Sequence, residues 1–337
     1  MQPEPSRPRR PSGLEHYQTD QAGPIEFLYS RGHPLVRAMM LATGRRRRRW
    51  LLLCTGTALA VSGAVVLLNT MFDARLPLGP GAILAGWFLS AWPMLMFMGA
   101  AMSAAAATVA ERTEDTALQI IITPLAKRPI AAGKVLPAAQ PFLWGLAAAL
   151  PLYLALGGSK CYLLEWGLPQ PWALWPFRLA APVWWREWAI EPTPAGIGLG
   201  ALMFLTDAAA IWAAAHWGAA YGVRAGGIAL AVAYLAGRTL WTVLVSALAL
   251  GAISAAAVLV FLVLNPRDLG HAGSPAALGV EAFYLLAYGL LWWKHFLPRA
   301  GRLVLEEFAN FDRLADEDFR PRHFRGFSVW RDDGERP

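Results

Sequence analysis

Arg45-Arg46-Arg47-Arg48-Arg49-Trp50-Leu51-Leu52-Leu53-Cys54-Thr55-Gly56-Thr57-Ala58-Leu59-Ala60-Val61-Ser62-Gly63-Ala64-Val65-Val66-Leu67-Leu68-Asn69-Thr70-Met71-Phe72 sets five consecutive guanidinium groups against 23 residues without a charge. Roughly 17–25 apolar residues of helix cross the ~30 Å of bilayer hydrocarbon. A backbone in lipid has no water to bond, so such a run has to satisfy its own N–H and C=O groups as a helix. The arginines ahead of it favour the anionic headgroups of an inner leaflet. The stretch therefore reads as a membrane span with a basic anchor.

The rest of the chain agrees. It is 56% hydrophobic and 16% charged, whereas soluble proteins average about 45–50% apolar and about 25% charged. Of its 53 charged residues, 14 lie in 1–49 and 18 in 294–337, leaving 21 for the 244 residues between. A soluble domain cannot hide so much uncharged chain. Spans are expected at about 50–72, 81–110, 135–157, 196–223, 239–264 and 276–297, with Pro137, Pro141 and Pro151 kinking the third or blurring its ends. The segment Ile228–Ala236 reads either as the start of the fifth span or as a short element at the inner face. The expected fold is all-α and polytopic.

Counted near the spans with the N-terminus inside, Lys and Arg number 17 on the inner segments and five on the outer loops. Basic excess marks the cytoplasmic side, so both termini are expected there. Residues 1–24, rich in proline and charge, read as a disordered cytoplasmic tail. No cleavable signal peptide is expected, since the first apolar run begins near residue 50. Residues 25–49 mix Phe27, Leu28, Leu35, Val36, Met39 and Met40 with basic residues and read as an amphipathic interfacial helix leading into the first span. Residues 50–297 form the six-span domain and 298–337 a cytoplasmic C-terminal tail. The outer loop 158–195 carries Trp166, Trp172, Trp175, Trp184, Trp185 and Trp188. An indole is apolar with one N–H to satisfy, which suits the membrane–water boundary. The loop reads as lying on the outer leaflet, or as an aromatic platform for a flat or lipid-like substrate.

One inner loop stands out: Glu111-Arg-Thr-Glu114-Asp115-Thr116-Ala-Leu118-Gln119-Ile120-Ile121-Ile122-Thr123-Pro124-Leu125-Ala-Lys127-Arg128-Pro129-Ile-Ala-Ala-Gly133-Lys134. Thr116 and Gln119 have the spacing of a capping box, in which hydroxyl and amide satisfy free backbone N–H groups at a helix start. The acids before them suit the positive end of that helix, and Pro124 and Pro129 limit its continuation. Leu118, Ile120, Ile121, Ile122 and Leu125 are too apolar to face water. They require a partner, either the protein's own membrane domain or another protein.

This loop resembles the cytoplasmic loop of ABC-2-type transporter permeases, the membrane subunits of a class of ATP-binding-cassette exporters. The family pattern is an acid-rich start, a Thr, an apolar run, Thr-Pro, and a basic stretch closing in Gly-Lys. Glu111, Thr116, Thr123, Pro124, Gly133 and Lys134 match it in type and spacing; Asp115 and Thr113 depart from it. His33-Pro34-Leu-Val-Arg37 resembles the family's helix before the first span. The resemblance implies a coupling helix seated in a separate ATPase subunit, with Glu111, Glu114, Thr116, Ile120, Ile121, Thr123, Pro124, Lys127, Gly133 and Lys134 carrying the contact. It also implies a homodimer or a pair with a similar permease in a bacterial inner membrane. ATP and magnesium are then expected in the partner ATPase, with no cofactor in this chain. In keeping with that division, the Gly-Lys at 133–134 is followed by Val135, with Arg128 where a P-loop needs its first Gly.

Other candidates are sparser. Asp207 and His216 lie within the fourth span, where ionisable groups are costly and point to function. They read as part of a transport path or as buried helix–helix hydrogen bonds. Gly99, Ser103 and Ala107, at spacings of four, let helices approach closely. Arg45, Arg46, Arg47, Arg48 and Arg49 anchor to lipid rather than nucleic acid. With Cys54 and Cys161 the only cysteines and the six histidines scattered, no metal cluster or disulfide framework is expected. Gly157-Gly-Ser159-Lys-Cys161 lacks the closing Gly of a nucleophile elbow. A membrane-embedded enzyme acting on lipid or peptide, or a non-transporting scaffold, is the alternative to a permease.

Overall fold

The computed structural model describes residues 34–71, 80–113, 127–157, 194–225, 227–264, 283 and 286–308. Among them every regular element is helical. In chain order these are α1 (Pro34–Ala42), α2 (Gly44–Met71), α3 (Pro80–Thr113), α4 (Lys127–Ala148), α5 (Leu150–Gly157), α6 (Pro194–Arg224), α7 (Ile228–Leu264) and α8 (286–308). Three stretches are long and apolar enough to cross a membrane: Gly44–Leu68, Ala91–Glu111 and Ile228–Ser246.

Proline writes several of the boundaries. Pro34, Pro80 and Pro194 are the first residues of α1, α3 and α6, positions where the missing N–H is spare and the fixed φ already suits a helix. Pro137 and Pro141 lie inside α4 without ending it. The break comes at Ala149, two residues before Pro151, where the Ala149 N–H donates to the Leu146 carbonyl at 3.0 Å. A proline disfavours helical backbone in the residue before it and cannot donate to the turn behind it. The expected third span is thus two helices, α4 and α5. The two readings of Ile228–Ala236 resolve as well: this segment is the first part of α7, one helix of 37 residues.

The bundle is organised around α6, whose largest contact is with α3 and which also packs on α4, α5, α7 and α8. Residues 209–220 of α6 are buried on every side. The cause is residue size. A Cβ built at Gly218 would overlap the Ala101 carbonyl, and one at Gly222 would overlap the Thr108 hydroxyl. Gly218 and Gly222, four residues apart, thus meet Ala101, Ala105 and Thr108 in a small-against-small crossing. Gly99, expected in such a crossing, instead faces the Phe142 ring of α4.

The outer helices differ. Only 17% of the apolar stretch of α2, and the same share of that of α7, is covered, against 44% for α3. Leu52, Leu59, Val66 and Leu67 of α2 and Leu240, Leu244, Leu248 and Leu259 of α7 are exposed. In α8 a π-helical stretch, Leu291–Phe296, admits an extra residue per turn and buries Tyr288, Trp292 and Phe296 together. The buried stripe then runs on through Leu297, Ala300, Val304 and Phe308. The segment expected to begin the C-terminal tail at 298 therefore opens as a packed helix.

Candidate functional site

The conspicuous loop of residues 111–134 separates α3 from α4. Its central residues 114–126, including Glu114, Thr116, Ile120, Ile121, Thr123 and Pro124, lie outside the described residues, as do the tail 1–24 and the Trp-rich segment 158–193. What the structure describes is the loop's base. Glu111 stands in the last turn of α3, where the helix dipole disfavours a carboxylate. Lys134 stands in the second turn of α4, its side chain 6% exposed. The two form an ion pair, each supplying the charge the other's position lacks. Their burial is unequal, since the Glu111 side chain is 27% exposed.

Gly133 sits beside this pair, and a Cβ there would overlap the sulfur of Met39 on α1. Glycine at 133 therefore lets α1 lie directly on the start of α4. The docking is reinforced by Val36, fully buried, and by the buried Ile130, Ala131 and Ala132. The helix expected to lie on a membrane surface is thus, over Pro34–Ala42, also a packed element of the bundle. After Thr43 the chain continues into α2, whose first turns carry the arginine run. Arg45, Arg46, Arg48 and Arg49 are exposed around the helix, and Arg47 is half-buried, its guanidinium 3.3 Å from the Met40 sulfur. Glu111, Gly133, Lys134 and α1 thus form one assembly; Lys127 is the first residue of α4.

The buried ionisable residues form a second region. Asp207 is 2% exposed and accepts a hydrogen bond of 2.5 Å from the Tyr153 hydroxyl, itself 1% exposed. Three residues on one face of α6 receive Tyr153: Gly200, where a Cβ would overlap the Tyr153 carbonyl; Phe204, packed edge-on at 5.7 Å; and Asp207. His216 is fully buried and its Nδ1 lies 2.7 Å from the Trp212 carbonyl, one turn back on the same helix. Nine residues of helix amount to about 13.5 Å of rise and half a turn of rotation, so Asp207 and His216 point to opposite sides of α6. They do not converge into one constellation. Asp207 is bonded across helices to Tyr153, and His216 within its own helix to Trp212.

A third cluster was not singled out in the sequence. The Arg238 guanidinium of α7 lies over the Trp217 ring of α6, 5.2 Å from its centroid. Trp217 in turn meets Phe97 of α3 at 6.2 Å and Trp292 and Phe296 of α8 at 6.1 and 6.5 Å. Near the α6–α7 turn, Tyr221 and Tyr234 stack at 5.7 Å, and Arg224 lies over Tyr234 and 3.9 Å from Glu307. The sequence signal for this cluster was faint, a lone arginine beside an apolar run.

No protein-family model, no curated protein and no solved structure matches this chain.

Proposed function

We propose that the chain is the permease subunit of an ABC-2-type exporter, a six-span bacterial inner-membrane protein with both termini in the cytoplasm. The observation that carries the reading is the Glu111–Lys134 clasp under α1, at the base of the loop whose sequence resembles a coupling helix. A coupling element has to pass a push from a soluble motor into the spans, and a slack loop would absorb it. Here the ends of the loop are tied to each other, and they belong to α3 and α4, both packed on the central α6. A displacement of the loop therefore moves α3 and α4 together against α6, while α1 on Gly133 extends the contact to α2. ATP and magnesium belong to the separate ATPase, which works with two copies of this chain or with this chain and a similar permease. Export of a substrate is the favoured direction on the resemblance.

The test is purification of the full chain from its native membranes with a search for a co-purifying ATP-binding-cassette ATPase, followed by reconstitution into vesicles. The expected result is a stable complex, with ATP-dependent substrate movement that is lost on Glu111→Ala or on joint replacement of Ile120 and Ile121 by Ser. Failure to co-purify any ATPase, or transport indifferent to these changes, overturns it. Turnover by this chain alone without nucleotide would establish the membrane-enzyme alternative.

A further inference from the structure

The rim of the aromatic cluster is more basic than its surroundings balance. Arg238 of α7 and Arg299 of α8 both lie within electrostatic reach of His295, and Arg299 donates from Nη1 to His295 Nε2. Glu307 stands opposite Arg224 at 3.9 Å. Among the described residues no carboxylate pairs with Arg238 or Arg299, and the buried Nε of Arg238 has no hydrogen-bond partner. A guanidinium held on an indole face without a carboxylate partner is set for an oxyanion at its remaining N–H groups. Because Nε2 of His295 accepts from Arg299, a neutral imidazole there carries its proton on Nδ1, which supplies another donor.

What lies next to the rim points to the kind of anion. One turn beyond Arg238, α7 exposes Leu240, Trp241 and Leu244, Trp241 at 56%. On α8, Leu290 and Trp293 are exposed one turn before His295 and Arg299. Two open apolar tracks leading away from a cationic rim suit an acyl-bearing ligand better than a free ion.

We propose that Arg238, Arg299 and His295 hold the phosphate of an anionic phospholipid headgroup, with its chains along the exposed faces of α7 and α8. The site is distinct from the Arg45–Arg49 collar, which sits on a single helix, α2.

Native mass spectrometry of the full chain, released from detergent containing equal phosphatidylglycerol and phosphatidylcholine, tests it. Arg299→Gln changes an exposed residue and should fold; Arg238→Gln removes the buried donor. The expected result is phosphatidylglycerol retained by the wild type and retained about tenfold less by either variant, the loss of one charge-assisted contact, with phosphatidylcholine unchanged. A parallel melt in inorganic phosphate separates the sources. Stabilisation by phosphate that Arg299→Gln abolishes, with no preference for phosphatidylglycerol, overturns the lipid and leaves a soluble phosphate compound as ligand. Equal phosphatidylglycerol retention in all three proteins, with no phosphate effect, overturns the site.

Discussion

Helices α6 and α7 are both long and apolar, yet they occupy opposite roles. The Ile228–Ser246 stretch of α7 meets the hydropathy and length of a membrane crossing, and 17% of it is covered. No stretch of α6 is among the candidate crossings, yet residues 209–220 are covered on all sides. The difference is side-chain size. Helix α7 carries Leu, Val and Trp outward, whereas α6 carries Ala and Gly inward, which lowers its hydropathy and lets five neighbouring helices pack against it. In lipid, apolar surface has no hydrophobic reason to leave the solvent, so packing rather than hydropathy selects the centre. Hydropathy marks the exposed α2 and α7 and the half-covered α3, and undervalues the helix that holds the bundle together.

The sharpest way to break this comparison is to put bulk where α6 has none. Gly218→Leu places a side chain into the Ala101 backbone, which cannot rotate away. Overpacking ordinarily costs about 1–3 kcal/mol and more where backbone has to move, so the loss should sit at about 3 kcal/mol or above, seen as a collapse of the melting temperature or of yield in detergent. Gly222→Leu should behave alike, because it meets Thr108 and Ala105. A Gly218→Leu protein that melts with the wild type would remove α6 from the centre.

The loop base comes next. Lys134→Ala leaves Glu111 without its ion-pair partner at a helix end that disfavours a carboxylate. Breaking a buried pair costs about 3–5 kcal/mol; partial exposure of Glu111 reduces this to about 2 kcal/mol. The joint change Glu111→Leu with Lys134→Met should recover most of the loss, since a charge-free pair has nothing to desolvate. A double-mutant cycle by thermal melt reads the coupling. Coupling near zero would mean that the two loop ends are held by packing alone. Under the proposed function, the rescued double variant should remain folded while ATP hydrolysis and transport come apart.

How much of this was legible in the sequence follows from range. Apolar runs, the arginine anchor and the loop are local patterns, and they marked the helices and singled out Glu111, Gly133 and Lys134. The clasp needs two residues 23 apart to meet, and only their opposite charge hinted at it. Tyr153 and Asp207 are 54 apart, on helices separated by the Trp-rich loop, and no local pattern joins them. The small-residue stripe was a matter of helix rotation. Gly99, Ser103 and Ala107 are as regularly spaced as Ala101 and Ala105, and sequence cannot say which set faces α6. The π-helical turn of α8 likewise shifts a register without leaving a residue signature.

A smaller effect tests the inner side of α6 at its polar point. Tyr153→Phe removes the hydroxyl that bonds Asp207 and little else. Losing one hydrogen bond to a buried acid should cost about 1–2 kcal/mol, measurable as a fall of a few degrees in melting temperature. Asp207→Asn keeps an acceptor for the same hydroxyl and should cost less. If Asp207→Asn instead abolishes transport in folded protein, the residue belongs to the transport path rather than to helix contact.

The smallest effect is expected on α7, and it is the most informative about what covers that helix. Leu244 is 49% exposed and Leu248 is 68% exposed. A side chain that faces lipid in the folded bundle also faces lipid when the helices separate within the membrane, so shortening it changes both states equally. Leu248→Ala should therefore shift stability by less than about 0.5 kcal/mol, the range of ordinary surface changes, whereas Ile211→Ala on α6, fully buried, should show the large-to-small penalty of about 2–5 kcal/mol. Should Leu248→Ala cost as much as Ile211→Ala, the α7 face is packed against protein in the working assembly. Dilution in detergent then decides between partners: a penalty that disappears as oligomers dissociate assigns the face to a second copy of the chain, the arrangement a paired permease requires.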